Sequence, residues 1–113
     1  MADLTSSSNL RLRVMADHAS SGIWVIGSAP PPWRHGMIDH SALGLDKDLA
    51  RRFTAWITRY EEEALEGKLD IEAFNRDGLE LARRLKDALG RNVYVEYDPE
   101  WSADPRPHPI VIE

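Results

Sequence analysis

The sequence predicts an α+β fold in two layers: a small three- or four-stranded sheet with an antiparallel helical hairpin on one face. Three observations predict it. Two long stretches, about 46–66 and 70–89, repeat apolar residues every three or four positions. Shorter stretches at about 10–15, 23–26 and 92–97 alternate in polarity or run apolar, as strands do. Only Gly67 to Leu69 separates the helical stretches, which forces the second to return antiparallel to the first.

Met1 to Asn9 is small and polar without periodicity and reads as a flexible leader to one α+β domain over 10–113. Leu10 to Met15 is the first strand. Leu10, Leu12 and Val14 share one face; Arg11, Arg13 and Met15 share the other. Asp17 to Gly22 is rich in turn formers and leads into a short apolar run, Ile23 to Ile26, so the two strands form a hairpin. Gly27 to Gly44 is the least regular stretch. Pro30, Pro31 and Pro32 forbid helix there and favour an extended polyproline path, while Trp33, Met37, Ile38 and Leu43 supply apolar anchors.

Asp46 is the N-cap of the first helix, because its carboxylate accepts from an orphan N–H of the first turn. Leu49, Phe53, Trp56, Ile57, Tyr60 and Ala64 form its apolar stripe, and Gly67 ends it in a left-handed cap. Asp70 caps the second helix, whose stripe is Ile71, Phe74, Gly78, Leu81, Ala82, Leu85 and Leu89. Glu72 with Arg76 and Glu80 with Arg84 stand four apart in the favourable order, and Gly90 closes the helix. A glycine inside a helix costs about 1 kcal/mol against alanine, so Gly78 predicts close approach of another element. Val93, Val95 and Tyr97 then alternate with Tyr94 and Glu96 in a third strand that Asp98-Pro99 stops. Beyond the Pro-punctuated stretch from Trp101 to His108, Ile110 to Ile112 reads as a late edge strand or a contact strand for another chain.

The composition limits the function classes. A formal net charge of −5 disfavours non-specific nucleic-acid binding and anionic membrane surfaces, and no apolar run is long enough to span a bilayer. The N-terminal stretch has neither the basic nor the apolar region of a signal peptide. With no cysteine there is no disulfide framework, thiol nucleophile or thiolate metal site, and the expected address is cytoplasmic.

Chemistry-bearing residues occur in two places. His35, Asp39 and His40 are metal-ligating types close in sequence, joined by His18 with Asp17, but their spacing matches no usual ligand pattern. The stretch His18 to Gly22 sets serines beside a histidine, yet in a strand-to-strand turn, where serine and glycine serve the backbone. The sequence therefore predicts no catalytic residue, no metal and no cofactor.

The acidic run is more informative. Glu61, Glu62, Glu63 and Glu66 occupy the last third of the first helix, where the helix dipole disfavours anions by about 0.3–1 kcal/mol each. Local stability would place lysines there, so a solvated face competes with an acidic docking patch for a basic protein. Trp24, Trp33, Trp101 and Tyr94 lie in strands or loops and are the candidate aromatic anchors, whereas Trp56 falls in the core stripe.

Taken together, "LRLRVMADHASSGIW" (10–24), "LDKDLARRFTAWITRYEE" (45–62) and "FNRDGLELARRLKDALGRNVYVEY" (74–97) resemble a set of small bacterial proteins. These have an opening strand, a Ser-Gly-aliphatic-Trp element, two helices and a closing Val-x-Val-x-Tyr strand. In size and charge they are similar to immunity proteins that neutralise secreted bacterial toxins. That resemblance implies a toxin-binding role and carries over no catalytic residues. The expectation is a non-enzymatic module that binds a basic protein through Glu61, Glu62, Glu63, Glu66 and the exposed aromatics. The alternatives are an accessory or homo-oligomer-forming subunit that pairs through 110–112, and a small metal-dependent enzyme using His35, Asp39 and His40.

Overall fold

A computed structural model describes residues 10–27, 29 and 31–113. The expected leader, 1–9, lies outside the described residues, as does Pro30. The chain runs β1 (Arg11–Val14), β2 (Ile23–Val25), β3 (Gly36–Met37), a 3₁₀ turn (His40–Leu43), α1 (Lys47–Leu65), α2 (Ile71–Leu89), β4 (Tyr94–Tyr97) and β5 (Ile110–Ile112). The sheet has five strands in the order β3-β2-β1-β4-β5. β1 pairs antiparallel with β2 and parallel with β4, and the outer pairs, β2–β3 and β4–β5, are antiparallel.

The sheet has one strand more than the three or four expected, and both outer strands have a local cause. β3 is only two residues long and shows no alternation to read; it forms where the loop returns along β2, with Met37 beside Trp24. β5 is the late edge strand, paired to β4 of its own chain. Pro31 and Pro32 lie in a turn, not in an extended polyproline run.

Both helices start as their sequences dictate. The Asp46 carboxylate accepts from Leu49 N–H at 2.8 Å and that of Asp70 from Ala73 N–H at 3.1 Å. Gly67, at φ 68°, turns the chain out of α1 and donates its N–H to Ala64 O. Lys86 reaches past the end of α2 and donates to the carbonyls of Arg91 and Val93. Arg84 bridges Glu80 at 3.2 Å, whereas Glu72 and Arg76 do not close into an ion pair.

The core lies between the helical hairpin and one sheet face. Leu12, Val14, Ile23, Val25, Val95 and Tyr97 from the sheet meet Phe53, Trp56 and Ile57 of α1 and Phe74, Leu81 and Leu85 of α2, all buried. Each large side chain buried there contributes about 1.5–3 kcal/mol. Trp56 stacks on Phe74 at 4.5 Å with 7° between the ring planes, and its Nε1 donates to Phe74 O. At Gly78 α2 packs directly on Tyr97 of β4 and on Trp56 of α1. A Cβ added there would lie 2.5 Å from Tyr97 and 2.6 Å from Trp56, so only a residue without a side chain fits.

Candidate protein-binding surface

The strand period sends every second side chain to the face away from the helices. One row across that open face is Met37, Trp24, Arg13, Glu96 and Val111, in strand order, with Arg11 beside Tyr94 in the adjacent row. Its polar groups are tied to one another. Arg13 Nε donates to Glu96 Oε2 at 2.6 Å, Tyr94 Oη donates to Glu96 Oε1 at 2.8 Å, and the Arg11 guanidinium lies 4.4 Å over the Tyr94 ring. Burial raises the Tyr94 hydroxyl pKa above the ordinary value, and the Glu96 carboxylate adds to the shift.

The aromatic candidates divide by exposure. Trp24 is half-buried and its Nε1 donates to Met15 O at 3.1 Å; Trp33 is half-buried and packs against the core. Trp101 is 40% exposed, with the Arg106 guanidinium 5.9 Å from its ring. It is the aromatic candidate with the most free area. Met37 and Val111 are exposed apolar side chains in the same row as Trp24, and sequence reasoning had not placed them on this surface.

The acidic run divides as well. Glu61 accepts from the backbone N–H of Ala19 at 2.6 Å, so it holds the β1–β2 connection, where Ala19 takes a positive φ of 53°. Glu62 is exposed, Glu63 half-buried, and Glu66 pairs with Lys68 at 3.2 Å in solvent. The structure adds carboxylates that the sequence did not connect with this run. Because β1 and β4 are parallel, Asp17 after β1 and Asp98 and Glu100 after β4 emerge at one end of the sheet, and Glu61 reaches the same end through Ala19. Burial pushes the Glu100 carboxyl above its ordinary pKa, with Asp98 and Asp17 adding to the shift and Arg106 opposing it. The Tyr60 hydroxyl is raised by burial and by the same Glu100 and Asp17 charges. The opposite end of the helical hairpin is basic, with Lys47, Arg51 and Arg52 near the start of α1 and Arg83, Arg84 and Lys86 near the end of α2. There Arg52 and then Arg51 and Arg84 hold the Asp48 carboxyl below its usual range.

The residues weighed for catalysis or metal do not converge. His35 and Asp39 are exposed, while His40 Nε2 donates to Ser21 O at 2.9 Å and its ring lies against Phe53. Among the described residues, no group of three or more His, Cys, Asp and Glu is arranged to hold a metal ion. Ser20 and Ser21 bond to nearby backbone, and the His18 ring packs on Tyr60 at 5.2 Å.

Fold and surface together define a small two-layer α+β protein with an acidic end, a basic end and an open sheet face bearing aromatics and arginines. The chain belongs to the Serratia CdiI immunity protein-like family, whose model matches residues 10–100. A comparison with curated proteins finds no match. The matched stretch takes in β1 to β4 with both helices and ends before the segment that carries Arg106 and β5. No helix among the described residues is long and apolar enough to cross a membrane.

Proposed function

We propose that this chain is an immunity protein that neutralises a bacterial toxin by stoichiometric binding in the cytoplasm, without performing a reaction. The observation that carries the reading is the family match over residues 10–100. The charge distribution supports a basic partner: Glu62, Glu63 and Glu66 with Asp17 and Glu100 form the steering end, while Trp101, Trp24, Tyr94 and Trp33 are the anchoring aromatics. Glu61 contributes charge while fixing the connection beside it. Complementary potential speeds encounter and rejects wrong partners, and buried aromatics supply most of the affinity.

The test is titration of purified chain into a toxin domain from the same host, identified by pull-down, followed by both calorimetry and residual toxin activity. Neutralisation complete at one chain per toxin is expected. Neutralisation at far fewer chains than toxin molecules would mean turnover and would sink the non-enzymatic reading. A second reading, an accessory or self-associating subunit, is favoured by β5, an edge strand whose Ile110 and Val111 are exposed. Light scattering separates the two, because self-association predicts a mass above one chain at micromolar concentration without any partner.

A further inference from the structure

The end of the sheet where β1 and β4 finish holds an incompletely satisfied carboxylate. Asp98 continues the β4 ladder, its N–H donating to Val14 O at 2.9 Å, and its side chain is 2% exposed. Oδ2 accepts from Arg106 Nη2 at 3.0 Å, but Oδ1 is buried with no partner in the protein. Buried carboxylates are ordinarily satisfied at both oxygens, and an unmet one costs heavily. The neighbouring charges sharpen the point. Glu96 is also buried but is fully engaged by Arg13 and Tyr94, and Asp17 and Glu100 add negative potential.

What covers Asp98 is a strap. Residues 101–109 are exposed throughout, and Arg106 is the strap's charged contact with the sheet end. Beside it runs a groove of about 370 Å³ lined by Arg13, Asp98, Arg106, Pro107, His108 and Pro109. The strap also lies beyond the part of the chain that the family model matches, whereas Asp98 lies within it.

We propose that Asp98 is a receptor for a guanidinium group, that Arg106 occupies it as an internal stand-in, and that an arginine of the partner takes the same position by displacing the strap. For the identity of the incoming group, the proposal rests on the reading of the chain as a toxin-binding protein. The chemistry favours a guanidinium over an ammonium. Its fork presents parallel N–H donors that meet both oxygens of one carboxylate, which the single Arg106 contact leaves half used. Arg13 on the groove wall repels a second loose cation, and it stays bound to Glu96.

A site closed nine-tenths of the time by its own strap binds an external ligand about tenfold more weakly than the open site. The probe is free N-acetylargininamide, followed by amide chemical shifts of Asp98, Glu100 and Asp17 in the parent chain, R106A and R106A/D98N. Expected is saturable binding to R106A about tenfold tighter than to the parent, and its loss in R106A/D98N with the thermal midpoint retained. Equal binding by parent and R106A would overturn the strap as competitor. Absence of saturable shifts in R106A, or their survival in R106A/D98N, would overturn Asp98 as receptor. Because the probe replaces the toxin, a chain that neutralises toxin one-to-one but ignores the probe loses this proposal and keeps the functional reading. Probe binding without neutralisation keeps Asp98 as a guanidinium receptor and overturns the functional reading, and with it the toxin as the source of the arginine.

Discussion

At Gly78 two rules oppose each other, and the magnitudes decide. Alanine would gain about 1 kcal/mol of helix propensity. Its Cβ would lie 2.5 Å from the Tyr97 ring and hydroxyl, which burial fixes and whose Oη donates to Asn75 Oδ1 at 2.7 Å. Overpacking of that kind costs about 1–3 kcal/mol or more, so Gly78→Ala is expected to lower the urea midpoint despite the better helix former. An unchanged or higher midpoint would mean that α2 lifts off the sheet freely. The need for close approach was readable from one glycine in an apolar stripe. That Tyr97 is the neighbour was not, since it depends on how the helix crosses the sheet. Glu100 supplies the pH dependence. Its carboxyl is raised by burial, then by Asp98 and Asp17, so the folded chain holds that proton more tightly than the unfolded one. Between the ordinary value of 4.5 and the higher folded value, stability therefore falls as pH rises, and the penalty is complete above the folded pKa. Glu100→Gln is expected to raise the midpoint at about pH 7, with the gain fading as pH falls toward about 4. A gain of equal size at both values would assign the effect to something other than ionisation.

Among the elements, the two helices were legible because their determinants are local: a capping aspartate, a stripe, a terminal glycine. The sheet was legible only in part. β1, β2 and β4 announce themselves by polarity, but β3 is too short to carry a pattern, and the parallel β1–β4 pairing joins segments separated by both helices. That pairing is what sets Asp17 beside Asp98 and Glu100, so the acidic end could be read from the sequence only as the run in α1. The run itself proves heterogeneous, which a pair of substitutions tests. Glu61→Ala removes the acceptor for Ala19 N–H, an exposed contact contributing about 1 kcal/mol, and should speed amide exchange across 17–22. Glu62→Ala removes an exposed side chain from the same turn of helix and should leave those amides unchanged. Equal effects of the two would deny Glu61 its role in holding the connection.

For the molecule as a whole, the consequential feature is the separation of charge between the ends of the helical hairpin. An antiparallel pair puts the last turn of α1 beside the first of α2, where Glu62, Glu63 and Glu66 gather, and leaves Arg51, Arg52, Arg83 and Lys86 at the far end. The resulting field would orient the chain toward a basic partner before contact, and such steering changes association rates by about 10–10³-fold. On the proposed reading, reversing Glu62, Glu63 and Glu66 to lysine should slow capture of the toxin about tenfold or more at low salt. The difference should shrink as salt shortens the screening length to about 8 Å near physiological ionic strength, and dissociation should change little. Folding should not suffer, because cations at a helix C-terminus gain about 0.3–1 kcal/mol each where these anions lose it, against one exposed pair between Glu66 and Lys68. Arg51→Glu is the matched control, an exposed residue at the basic end that should leave capture equal or faster. Stopped-flow association across a salt series reads all of these together. If the triple lysine variant captures toxin as fast as the parent at every salt concentration, the acidic run is a solvated face, and recognition rests on the open sheet face and the aromatics alone.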